Sequence, residues 1–253
     1  MRNHANKLAI LLLFPVACLA QGGTLGGNGI MSGSAQFGAG AGGGTTVAYE
    51  AENSAFLNFG TSCTFSITLG GASTTRAVAA MLYVNGSGGP GAFTTLTVGS
   101  STLTLVSGTS QSVSNDYSYI FAGTTSLTGA QTVTITWTTA QYAICGAISA
   151  TGVNQTTPVI NGTGNCGTAS PALSQSITSS SGDLTFSVFG YSGGGVTATT
   201  NQAQKWENDG TSHSVNDFAY GDIGPGTGTT THTWTLSSSG YSACISGADF
   251  EHA

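Results

Sequence analysis

One stretch of the chain occurs twice, and this repeat narrows the available folds more than any other feature. Residues 108–123 read GTSQSVSNDYSYIFAG and residues 210–224 read GTSHSVNDFAYGDIG. With one gap, the copies share Gly, Thr, Ser, Ser, Val, Asn, Asp, Tyr and the closing Gly. Each copy leads into a Thr-Trp-Thr strand, at 136–138 and 233–235. Each then reaches a Tyr-x-x-Cys, at Tyr142 to Cys145 and Tyr241 to Cys244. The chain is therefore expected to build two pseudo-equivalent halves, about 46–153 and 166–253.

The pattern within each half is that of strands. QTVTITWT (131–138) alternates, with Val133, Ile135 and Trp137 on one face and Thr on the other. RAVAAMLYVN (76–85) is almost wholly apolar and reads as buried, and DLTFSVFGY (183–191) repeats it. CTFSITL (63–69) is matched by ALSQSIT (172–178). Thr, Val, Tyr and Phe abound while Glu, Lys and Arg are scarce, which favours strand over helix. Many short strands separated by Gly-rich turns predict an all-β fold, an antiparallel two-sheet β-sandwich. Two halves joined by the short connector 151–165 favour one shared, jelly-roll-like core over a tandem pair of immunoglobulin-like domains.

Charged residues make up 6% of the chain, against about 25% in an average globular protein. The first segment reads as an export signal: Arg2 and Lys7, then the apolar run 8–20, too short for a membrane span. An alternative reading uses Cys18 as a lipid anchor, though Pro15 fits that signal poorly. Residues 21–45 contain eleven Gly and read as a flexible leader before a domain at 46–253. Without residues 1–20, Arg76 and Lys205 face ten acids, a formal charge of −8. That balance argues against nucleic acid or an anionic membrane surface as partner. The expected location is secreted or at the cell surface.

Cys63, Cys145, Cys166 and Cys244 form an even set in an exported chain, which predicts two disulfides. The favoured pairing is Cys145–Cys166, closing the connector, with Cys63–Cys244 tying the first core strand to the last. No Cys/His cluster suggests zinc.

RAVAAMLYV, the TVTITW strand and AISATGVNQTTPV (147–159), followed by Gly182-Asp183-Leu184, resemble a β-sandwich domain of exported bacterial and phage-associated proteins. That family shows a "GVdqttPv" connector after a "tvtvtWs" strand. The resemblance covers roughly 46–250 and implies the fold and export, with no settled activity. Tyr49-Glu50-Ala51-Glu52 resembles the "YEAE" opening of β-sandwich carbohydrate-binding modules, whose Glu helps hold a structural calcium.

Several constellations are candidate sites. Trp206 lies outside the repeated core strands, in a polar segment with Gln204, Glu207, Asn208 and Asp209. An exposed Trp among hydrogen-bonding groups could stack a sugar ring. Glu50 and Glu52 with Asp249, and Glu251 beside it, could offer oxygen ligands to calcium if the first and last strands are adjacent. Glu207, Asn208, Asp209, Asp217 and Asp222 could do the same. Gly190-Tyr191-Ser192-Gly193-Gly194 fits a nucleophile elbow, with Asp217 and His232 in hydrolase order. No helix can follow it, however, and His232 shares the apolar parity of Trp234. Gly86-Ser87-Gly88-Gly89-Pro90-Gly91 fits a dinucleotide fingerprint but leads into a strand, so it reads as a loop. The repeated Asn115-Asp116 and Asn216-Asp217 read as turns.

The function expected from these residues is a non-catalytic exported module that binds polysaccharide or surface glycan, or acts in adhesion. The alternative is a self-associating structural subunit of a coat, filament or matrix. No catalytic residues and no cofactor are expected, apart from the candidate structural calcium.

Overall fold

The computed structural model describes residues 46–193, 197–209 and 217–253. The expected signal (1–20), Cys18, the leader (21–45), Gly194 and Asn216 lie outside the described residues. Among the described residues every regular element is a strand. The first half carries β1 (Ala48–Leu69), β2 (Ala77–Asn85), β3 (Phe93–Val98), β4 (Ser101–Thr102), β5 (Thr104–Leu105), β6 (Gln111–Val113), β7 (Asp116–Thr124) and β8 (Gly129–Thr151). The second carries β9 (Val159–Ala169), β10 (Ala172–Ser179), β11 (Leu184–Ser192), β12 (Ala198–Thr200), β13 (Ala203–Asp209), β14 (Asp217–Pro225), β15 (Gly228–Leu236) and β16 (Tyr241–Phe250). All named pairings are antiparallel.

The long strands β1 and β8 pair along their whole length and change neighbours halfway. Residues 143–150 of β8 lie beside β2, whereas residues 133–137 lie beside β3. Register shifts at Leu57/Gly60 and Gly60/Ser62 mark where the pair bends, since an extra residue in one strand kinks it and increases its twist. The sheet thereby folds over itself. Cys63, Phe65, Ile67, Leu69, Val133, Ile135 and Trp137 on the outer part meet Val78, Ala80, Leu82 and Val84 on the inner part.

The second half repeats this strand order with shorter pieces. Its inner sheet runs β9–β16–β11–β14, as the first runs β1–β8–β2–β7. Its outer sheet runs β10–β15–β12, as the first runs β1–β8–β3. Leu173, Phe189, Tyr191, Tyr220, Trp234 and Ile245 fill the space between its two layers. A third cluster joins the halves through their inner sheets, with Met81, Tyr83, Ile148, Phe186, Val188, Ile223 and Phe250. The packing between halves is reciprocal: β7 meets β16 and β8 meets β14, while β1 meets β13 and β6 meets β9.

The all-β antiparallel architecture stands as expected and is consistent with a β-sandwich, but the number of sheets differs from the expected two. Among the described residues three hydrogen-bonded sheets form, and none of them mixes strands from the two halves. The reason lies in β2 and β11. Residues Ala77–Val84 and Leu184–Tyr191 are buried at every position. A strand buried on both faces needs cover on both, and each fully buried Val, Leu, Ile or Phe contributes about 1.5–3 kcal/mol over its exposed state. One two-layer sandwich would leave half of these side chains in water.

The disulfide pairing is also corrected: Cys63 bonds Cys145, and Cys166 bonds Cys244. Neither bridge joins the halves. Pairing with β2 sets Ala77 opposite Ala150, and pairing with β11 sets Leu184 opposite Phe250. By that register Cys145 matches Ile245, and Cys244 matches Ile144. Shifting a strand by one residue exchanges its faces. Cys145 therefore points outward to Cys63, whereas Cys244 shares the inward parity of Ser246, Ala248 and Phe250 and meets Cys166 on the adjacent strand β9.

Candidate functional site

Trp206 is 5% exposed and lies in the central cluster between the halves. A Cβ on Gly146 or Gly221 would overlap its indole, so these two glycines make the slot it fills. A register shift between Gln204 and Trp206 accompanies its inward turn. The expected sugar platform is therefore corrected: the ring has no free face. Asn208 and Lys205 beside it reach across the join between halves. Asn208 Nδ2 donates to Ser54 Oγ at 3.3 Å, Gln204 Nε2 donates to Glu207 Oε2 at 3.2 Å, and Lys205 Nζ sits 4.0 Å from the centroid of the Tyr49 ring. The side chain of Asp209 lies outside the described set.

The expected calcium ligands do not converge. β1 pairs with β8, and β16 pairs with β11 and β9, so the first and last strands are not sheet neighbours. Glu50 is engaged by Arg76, whose Nε and Nη2 each donate to its carboxylate at 2.7 Å, and by Ser149 Oγ at 3.0 Å. Burial pushes the Glu50 carboxyl up, but the Arg76 and Ser149 hydrogen bonds outweigh it and leave it lowered. Glu52 is raised by burial, against the pull of Lys205. Asp249 lies in the second half near Asn161 and Asp183; burial, then the Asp183 charge, pushes it up to about 7. Asp217 and Asp222 are buried whereas Glu207 is exposed, so the second set of oxygen ligands is divided as well. Among the described residues no three His, Cys, Asp or Glu side chains gather as a metal site.

The hydrolase-order match, which already lacked its helix in the sequence, also comes apart in space. Ser192 stands opposite Asp217, but His232 belongs to another network. Its Nδ1 lies 2.8 Å from Asp222 Oδ1 and its Nε2 lies 3.0 Å from Thr185 Oγ1. This Thr–His–Asp arrangement has the hydrogen-bond order of a nucleophile, a base and an orienting carboxylate. Thr185, His232 and Asp222 are all wholly buried between the layers of the second half, so no external substrate reaches them.

One exposed feature has binding chemistry. Phe59 is 57% exposed and has φ 54°. A bulky side chain in the left-handed region is an outlier that costs about 1–3 kcal/mol and persists only where its surroundings impose it. Phe59 sits at the bend of β1, its ring tilted 60° against Tyr142 with centroids 5.3 Å apart. The support beneath is hydrogen-bonded to a neighbouring loop. Gln141 is buried, and its Nε2 donates to Gly89 O at 2.7 Å and Ser87 O at 3.2 Å, fastening the 86–91 loop. Thr139 N donates to Pro90 O at 2.9 Å. Asn58, Thr61, Thr138 and Thr139 are exposed on neighbouring stretches and supply uncharged hydrogen-bonding groups. The sequence carried a weak signal for this platform: Asn58-Phe59-Gly60 interrupts an otherwise strand-like run.

No family model, curated protein or solved structure matches the chain, so the functional reading rests on the chain's own residues.

Proposed function

We propose that the chain is an exported, non-catalytic β-sandwich module that binds a neutral glycan outside the cell, with Phe59 as its stacking platform. The observation that carries this reading is an aromatic ring turned out to water at a backbone position that disfavours it. An aromatic face meets the apolar C–H face of a pyranose, while nearby hydroxyls and amides meet its hydroxyls. Two disulfides fit an oxidising compartment, and among the described residues no helix is long and apolar enough to cross a membrane. The resemblance to exported bacterial and phage-associated sandwich domains agrees with this setting.

Affinity electrophoresis through neutral polysaccharides tests the reading with one informative variant. Phe59→Gly removes the ring and relieves the left-handed strain of about 1–3 kcal/mol. It should lose retention while melting at the same temperature or slightly higher, a separation of binding from stability. Retention equal to that of the unaltered chain removes Phe59 from the site. A chain that no polysaccharide retains, and that polymerises with rising concentration, supports the structural-subunit reading instead.

A further inference from the structure

The second half has a buried nucleophile arrangement that nothing outside can reach, and beside it a buried amide without a partner. Gln175 is 6% exposed, and neither its Oε1 nor its Nε2 finds a hydrogen-bond partner among the described residues. Leaving both ends of a carboxamide unpaired in a dry layer is costly. Gln175 stands directly opposite His232 on the paired strands β10 and β15, and both are buried on the inward face of their sheet. A Cβ on Gly247 would overlap Gln175 Nε2, so the missing side chain there makes room for the amide against the inner sheet. Thr185 Oγ1 is held at 3.0 Å by Nε2 of His232, the residue that pairs with Gln175, so one imidazole has the hydroxyl and the amide as neighbours.

The first half shows what this register position does. Ile135 and His232 each precede the repeated Trp, Trp137 or Trp234, by two residues. Cys63 pairs opposite Ile135 as Gln175 pairs opposite His232. Cys63 is bonded to Cys145, which ties the outer layer to the inner one with a Cα separation of 6.6 Å. The second half's own disulfide joins neighbouring strands β9 and β16 within one sheet and leaves its layers untied.

We propose that Thr185 and Gln175 form an intramolecular ester that ties the outer sheet of the second half to its inner sheet, assembled by His232 and Asp222. His232 Nδ1–H donates to the Asp222 carboxylate, which leaves Nε2 to accept the Thr185 hydroxyl proton. Thr185 Oγ1 attacks Cδ of Gln175 as that proton passes to Nε2. The tetrahedral adduct collapses with cleavage of the Cδ–Nε2 bond. His232 returns the proton to the leaving nitrogen, which departs as ammonia. One C–O bond forms and one C–N bond breaks, nothing is oxidised or reduced, and His232 ends as it began. The dry layer that excludes outside substrates also shields the ester from water.

The test is peptide mapping of the full secreted chain after reduction of its disulfides. Chymotryptic digestion should release a branched peptide joining the segment with Gln175 to the segment with Thr185, lighter than their sum by one ammonia. Locating the loss by tandem mass spectrometry separates it from cyclisation of an N-terminal Gln. Thr185→Val should keep the shape and abolish the branch, and Thr185→Ser should restore it. His232→Ala should reduce branching at least tenfold in protein that circular dichroism shows to be folded. Gln175 recovered unbranched from folded wild-type protein overturns the proposal, as does a branch that persists in Thr185→Val or that maps to Ser187.

Discussion

The two halves share a strand order but fill their layers differently. In the first half the register positions between the two layers hold Val78, Ala80, Phe121 and Ile135, all apolar. The matching positions in the second hold Thr185, Ser187, Asp222 and His232, all buried and hydrogen-bonded. The first half ties its layers with a disulfide, whereas the disulfide of the second lies within a sheet. The difference teaches that one topology accepts two solutions. An apolar layer needs only complementary volume. A polar layer must satisfy every group it buries, because a half-satisfied network is worse than none.

The largest effects should come from positions that the comparison makes critical. Trp206→Ala empties the slot between Gly146 and Gly221 and should cost about 3–5 kcal/mol in urea unfolding. It belongs to the join rather than to either half, so the whole chain should lose stability together. Asp222→Ala leaves His232, Ser187 and Thr200 without their shared acceptor and should cost about 3–5 kcal/mol as well. A loss below about 1 kcal/mol, the worth of an ordinary hydrogen bond, would mean that the polar layer is dispensable and the contrast between halves idle.

Removing either disulfide as a double Cys→Ala variant should come next. The sequence separations are 82 and 78, so chain entropy alone assigns each about 4.5 kcal/mol. Hydrogen exchange then separates the two. Loss of Cys63–Cys145 should expose amides of β3 and the outer part of β8, whereas loss of Cys166–Cys244 should expose those of β9. The same amides opening in both variants would break the assignment of one bridge to each half.

A smaller effect concerns pH. Burial, with the Asp116 charge adding to it, pushes Asp217 up to about 6 against a Ser192 hydrogen bond, and Asp249 reaches about 7. Asp116 is raised by burial although Tyr83 and Asn85 hydrogen-bond to it. Carboxyls raised in the folded state bind protons more tightly there than in the unfolded chain. Their stabilisation is full below the unfolded value, near 3.8, and is lost as pH rises through the folded value. Glu50 and Asp183 are lowered and work the other way, below pH 4.5. Thermal melts should therefore rise as pH falls from about 7 toward about 4. Asp217→Asn should flatten the part of that slope below about 6. A slope unchanged in that variant would place the titration elsewhere.

Much of the fold was legible in the residues. The alternation in 131–138 and the apolar runs 77–84 and 184–191 correspond to β8, β2 and β11. The same apolar runs also contained the case for cover on both faces, which a two-sheet reading passed over. The cysteines misled because the Tyr-x-x-Cys match is one residue out of step with the strand register, and one residue is one face. Trp206 misled because its neighbours Lys205 and Glu207 are polar, and a shift in strand register is invisible in composition. Inward polar parity was readable at His232 and Gln175, but the convergence of Asp222 and Thr185 on His232 depends on how two sheets stack. Phe59 needed backbone geometry, since no residue pattern announces a left-handed phenylalanine.

The central claim is that each half closes on itself, with a one-residue shift placing its cysteines on different faces. Peptide mapping without reduction tests it most directly, using cleavage after Arg76 and Lys205 together with a cut between Cys145 and Cys166. The account predicts Cys63 linked to Cys145 and Cys166 linked to Cys244. A bridge from either half to the other, Cys63–Cys244 or Cys145–Cys166 above all, would contradict it.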